Sequence, residues 1–122
     1  PFEHRSFGEE LALCQRYFYR SQGTGAYTAH GMGANFDGDS SDVFIHYPVE
    51  MRAIPNVTFS GTVSIHRGAG TNANISNMGD AGGSKTTSFI RCDHSSILAT
   101  GDAVYCINNN DASGEISFNA EL

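Results

Sequence analysis

Apolar and polar residues alternate with period two over several short stretches of this chain, and a helical pattern shows only once, near the N-terminus. Asn56-Val57-Thr58-Phe59-Ser60 alternates cleanly, Gly61 interrupts, and Thr62-Val63-Ser64-Ile65-His66 resumes the alternation. Val57, Phe59, Val63 and Ile65 then share one face while the Thr and Ser residues take the other. That is the pattern of a half-buried antiparallel pair turned at Gly61. Asp42 to Tyr47 is a denser apolar run closed by Pro48. Thr86–Arg91, Ala103–Ile107 and Glu115–Leu122 predict further strands, the last with Ile116, Phe118, Ala120 and Leu122 inward. Between the final two lies Asn108-Asn109-Asn110-Asp111-Ala112-Ser113-Gly114, a run of turn formers that predicts a hairpin.

Ser6-Phe7-Gly8-Glu9 has the spacing of a capping box, and Glu9 to Gln15 supplies acids for a first turn with good helix formers behind them. The spacing predicts a helix of two turns. Arg16 to Arg20, with three consecutive aromatics, reads as a strand whose two faces are both covered, one by the core and the other by the helix or a neighbouring subunit. The glycine-rich stretch from Ser21 to Ser41 reads as long loops around a short strand near Ala26–Ala29. Gly68 to Ser84 reads as loop with a short strand near Ala73–Asn77. Short strands separated by turn signals predict an all-β fold: one antiparallel, jelly-roll-like β-sandwich domain over residues 1–122, with one short N-terminal helix.

Composition narrows the function classes. With 39% apolar and 16% charged residues the chain is neither a coiled coil nor a highly charged disordered tail. Thirteen acids against seven Lys and Arg give a net charge of -6, which speaks against duplex nucleic acid as a partner. No apolar run reaches the roughly 18 residues of a membrane-inserted helix. Trp is absent, so Phe and Tyr must supply much of the core of a small domain. Such a domain often gains its stability margin by association, so a second copy of the chain is an expected partner. The first residue is Pro1 rather than Met, and the sequence reads as a fragment or processed piece.

Candidate chemistry is sparse. No CxxC spacing accompanies Cys14, Cys92 and Cys106, so no zinc site is predicted. A disulfide between Cys92 and Cys106 across a ladder stands beside two free buried thiols as the alternatives, and Cys14 reads as a core residue on the helix's apolar side. Gly79 to Thr86 approaches a phosphate loop but has Ser84 where Gly is needed, and Gly68 to Ala73 lacks the βαβ context of a dinucleotide turn. Both read as loops, and no cofactor is predicted. Asp37, Asp39 and Asp42 fail the helix–loop–helix calcium pattern, since Asp42 stands at its Gly position and Pro48 at its final acid. They read as solvated turn formers, with a bound cation as the alternative. His4, His30, His46, His66 and His94 are scattered rim residues, of which His46 and His66 have the placement to converge in space. With neither GxSxG nor HExxH present, no catalytic or metal-ligating residue is assigned. Asn56-Val57-Thr58 and Asn74-Ile75-Ser76 match the glycosylation acceptor pattern.

Two segments carry a resemblance. Phe2-Glu3-His4-Arg5-Ser6-Phe7-Gly8-Glu9-Glu10-Leu11-Ala12-Leu13-Cys14-Gln15-Arg16-Tyr17-Phe18 resembles a segment that begins the C-terminal domain of tailed-phage tail-fibre-like and related virion surface proteins. Tyr47-Pro48-Val49-Glu50-Met51-Arg52-Ala53-Ile54-Pro55-Asn56-Val57-Thr58 is similar to the strand–turn–strand centre of those domains, and Phe118 to Leu122 to their close. The resemblance implies the C-terminal module of a longer virion protein, a homotrimeric β-sandwich on the extracellular phage particle. Its partners would be its own copies, other virion proteins and a host surface glycan or protein. Ligand contacts would then lie in the intervening loops. Tyr27, His30, Asn35, Asp37 and Asp39 in one, and Asn72, Asn74 and Asn77 in the other, have the planar and multi-donor side chains that suit sugar hydroxyls. A capsid decoration or head-fibre protein is the second reading, and a glycan-active enzyme the third.

Overall fold

Ser6 opens the helix in the way its spacing requires. Its Oγ accepts from the Glu9 amide at 3.2 Å, and the Glu9 carboxylate accepts from the Ser6 amide at 3.3 Å. The computed structural model describes residues 6–68, 71–95 and 98–121. After α1 (Phe7–Gln15) come the strands β1 (Phe18–Gln22), β2 (Ala29–Asp37), β3 (Ser40–His46), β4 (Asn56–Ser60) and β5 (Val63–Arg67). They are followed by β6 (Thr71–Asn74), β7 (Asn77–Asp80), β8 (Thr87–Asp93), β9 (Ala103–Asn108) and β10 (Glu115–Asn119). The three-stranded sheet runs β1-β10-β4 and the seven-stranded sheet β6-β5-β9-β2-β3-β8-β7, antiparallel throughout. The antiparallel sandwich with one short N-terminal helix is therefore the fold.

Both hairpins expected from the alternation are instead crossovers between sheets. β4 and β5 lie in different sheets, and so do β9 and β10. Val57 and Phe59 still share a core with Val63 and Ile65, but they reach it from opposite layers. The two links cross side by side and are bonded together. Asp111 accepts from the Thr62 amide at 2.8 Å, and the Asn109 amide donates to the Thr62 carbonyl at 3.0 Å. Gly61 sits at φ 73, and a Cβ there would stand 2.8 Å from the Gly114 Cα, so both links need glycine where they touch.

The glycine-rich stretch expected as loop holds a nine-residue strand, β2, at the centre of the large sheet. Its glycines have a packing reason. A Cβ on Gly33 would collide with the backbone carbonyl of Asp42, and one on Gly31 with that of Phe44. The second loop stretch holds two strands, β6 and β7, at opposite edges of the seven-stranded sheet. Only Ile75 and Ser76 separate them: the Ile75 amide donates to the Val63 carbonyl at 2.9 Å and the Ser76 amide to the Asp93 carbonyl at 2.8 Å. Asn74 and Asn77 are thus at most about 11 Å apart. Seven flat strands would put the edges about 29 Å apart. The large sheet must curl until its edges nearly meet.

One core fills this curl and the face of the small sheet: Val43, Ile45, Met51, Val63, Ile65, Ile90, Val104, Ile116 and Phe118 are all buried in it. Tyr19 packs there against Phe118 and Tyr47, with ring centroids 5.8 and 6.4 Å away. The outward Phe18 is half-covered by the Arg20 guanidinium, 5.5 Å from its ring centre, and Tyr17 lies under Arg52 at 5.3 Å. Ile116, Phe118 and Ala120 point inward as expected, while Leu122 lies outside the described residues.

Cys92 and Cys106 are free, fully buried thiols. They do not meet across a ladder, because β3 and β2 separate β8 from β9. They meet inside the curl instead, where the Cys106 thiol and then burial push the Cys92 thiol far above its ordinary range. Cys14, expected in the core, is exposed.

Candidate interaction surface

The alternation that buries one face of the large sheet should leave the other polar. It does not. In register across five strands stand His66 (β5), Tyr105 (β9), Met32 (β2), Phe44 (β3) and Phe89 (β8). Their inward neighbours Ile65, Cys106, Val43 and Ile90 fill the core, so this row points outward. Met32 is 68% exposed, Phe44 49% and Tyr105 40%. Phe44 and Phe89 stack at 4.8 Å with ring planes 8° apart, and His66 leans on Tyr105 at 5.7 Å. This cross-strand ribbon of apolar groups on a solvent face is the candidate interaction surface.

Polar groups border the ribbon without interrupting it. Asp42 takes a forked pair of bonds from Arg91, at 2.9 and 3.2 Å, and the Arg91 guanidinium lies over the Phe36 ring, 4.0 Å from its centre. His46 meets the Thr87 hydroxyl at 3.0 Å on the other border. Ala29, His30, Gly31, Met32 and Tyr105 line an open depression of about 400 Å³ beside the middle of the row. Burial lowers the His66 pKa, so the ribbon's own histidine favours its neutral form.

The residues expected to contact a ligand are distributed differently from that expectation. Tyr27 is exposed, on a turn that Thr28 ties by donating to the Gly25 carbonyl at 2.9 Å. His30 is not a loop residue. It lies on β2 and joins the two sheets, with Nδ1 2.8 Å from the Ser21 hydroxyl and Nε2 2.8 Å from the Asn108 Oδ1. Asn35 is a core residue, 2% exposed, whose amide accepts from Ser41 Oγ at 2.8 Å and donates to the Asp37 carbonyl. Its side chain has no free edge to offer a sugar.

Asp37 and Asp39 form the tip of the β2–β3 hairpin. The Asp37 carboxylate accepts from the Ser40 hydroxyl at 2.8 Å, the Asp39 amide at 3.1 Å and the Ser40 amide at 3.0 Å, which holds its pKa down. The neighbouring Asp37 in turn raises that of Asp39. With Asp37 capping the turn and Asp42 forked onto Arg91, the three carboxylates are turn and ion-pair groups, and among the described residues no cluster of three potential metal ligands forms.

Eight residues of extended strand place His30 and Asp37 about 23 Å apart, so the first expected loop set divides between the two ends of β2. Asn74 and Asn77 flank the link that closes the curl. Asn74 accepts from Asn109 at 2.9 Å and Asn77 donates to Asp93 at 3.3 Å. Asn72 pairs in register with His66, so it alone among the expected residues extends the apolar row. His46 and His66 do not converge: three strand spacings, about 14 Å, separate β3 from β5.

Sequence reasoning passed over Met32, Phe44, Phe89 and Tyr105. A signal was present in Val43-Phe44-Ile45, Phe89-Ile90 and Val104-Tyr105-Cys106, where consecutive apolar residues must put one on each face of a strand. Comparison with protein family models, curated proteins and solved structures matches the chain to none of them.

Proposed function

We propose that this domain is a self-associating structural and adhesion module of a tailed-phage virion, the C-terminal part of a tail-fibre-like protein that presents a recognition surface to the host. The observation that carries this reading is the outward apolar row His66–Tyr105–Met32–Phe44–Phe89 on a domain whose core is already complete without it. A surface of this kind is kept for contact with another protein surface, in the first place another copy of the chain. The likeness of the helix-opening and central segments to virion surface domains supports the same reading. Host contact falls to exposed groups outside the row, with Tyr27 at the β1–β2 turn as the leading one.

Immunogold labelling of virions with an antibody to the domain tests the location. Label at fibre ends supports the proposal, label over the capsid lattice favours a capsid decoration protein, and unlabelled particles overturn both. Light scattering tests the association: a mass of more than one chain is expected, and three chains would match the fibre reading.

A further inference from the structure

We propose that α1 of one copy docks on the Tyr105–Met32–Phe44–Phe89 row of a second copy, head to tail. This contact rests on the self-association proposed above and assigns its two surfaces. The helix runs nine residues and buries none of them. Helices so short do not hold their shape in water unless packed against a partner, even with a good cap. Phe7 and Leu11 are 83% and 44% exposed, and with Cys14 they fall at i, i+4 and i+7 on one face. Within its own chain the helix runs straight into β1, in the small sheet, whereas the row lies on the outward face of the large sheet.

Dimensions support a second copy as the occupant, since the two unpartnered apolar faces of this chain match in length. Nine helical residues span about 13 Å. From β9 to β8 the row crosses three strand spacings, about 14 Å. Two different patches on one chain make a heterologous contact, which closes into a ring when the rotation between copies permits.

Two double variants test this in the full 122-residue chain: Phe7→Glu with Leu11→Glu on the helix, and Met32→Glu with Phe44→Glu on the row. All four residues are exposed, so both variants keep the fold, as far-UV circular dichroism would verify. Light scattering should find the parent chain assembled and each variant alone a monomer. Mixed in equal amounts, the variants should form a two-chain complex, because each pair retains one intact helix and one intact row. A variant with the parent's mass would overturn the helix–row contact and leave self-association standing. Monomeric variants that fail to combine would overturn the head-to-tail arrangement. A parent chain that is itself monomeric would overturn both this contact and the association it rests on.

Discussion

His30 Nε2–H donates to the Asn108 Oδ1 at 2.8 Å, across 78 positions of chain, and this bond places a proton on Nε2. Asn108 turns its Nδ2 to the Gly114 carbonyl at 3.1 Å, so its oxygen is the atom that faces His30. Nδ1 is then left as the acceptor for the Ser21 hydroxyl. The neutral tautomer satisfies both partners, and burial lowers the His30 pKa in the same direction.

Stability should therefore fall as the pH drops below about 6.5. A histidine whose folded pKa lies below its unfolded value of about 6.5 contributes its full stability above that value and loses it as pH falls toward the folded pKa. The urea midpoint should be flat above pH 7 and decline below it. His30→Gln should lower the midpoint overall and reduce that decline. Some slope should remain, because His66 shifts in the same direction. An undiminished slope in the variant would remove His30 from the account.

Asn108→Ala should destabilise the fold by about 2 kcal/mol, because it strands the half-buried His30 N–H and the buried Gly114 carbonyl. Urea unfolding of parent and variant measures it. A loss below about 1 kcal/mol would mean that water replaces the amide at this site.

Asp111 governs a second, more acidic limb. Its carboxylate accepts from the Ser113 hydroxyl, the Thr62 amide and the Ser113 amide, which holds its pKa at about 2. The folded value lies below the unfolded one, so its contribution is complete above about pH 4 and disappears as the pH falls toward 2. Carboxyl NMR should find this group titrating near that value. A midpoint near that of an ordinary aspartate would show that the crossover clasp is not formed.

Thiol labelling separates the cysteines. Cys14 is exposed within its own chain whereas Cys92 and Cys106 are buried and free, so a thiol reagent should label one group promptly in the folded monomeric Met32→Glu, Phe44→Glu chain and all three once it is unfolded without reductant. One thiol after unfolding would instead report a Cys92–Cys106 disulfide.

The elements that local chemistry decides were the legible ones. The Ser6–Glu9 cap, the inward face of Ile116, Phe118 and Ala120, and the shared core of Val57, Phe59, Val63 and Ile65 follow from spacing alone, because the residues concerned lie within a few positions of each other. The β2 strand was not legible, since Gly31 and Gly33 look like loop until the β3 backbone that excludes their side chains is in place. Likewise Asn35 reads as a polar loop residue until Ser41 and the Asp37 carbonyl surround it.

By itself the sequence determined that the chain is all-β with a capped N-terminal helix, and which residues of β4, β5 and β10 face inward. Period two reports the face of a strand, and it is the same whether the next strand continues the sheet or crosses to another. Tertiary structure alone decided that β4 and β5, and β9 and β10, part company at the Gly61–Gly114 crossing. It also decided that the edges meet at Ile75 and Ser76, and that Tyr105, Met32, Phe44 and Phe89 line up on one outward row. Such a row is a property of register between distant segments, and register is set when the buried faces pack together.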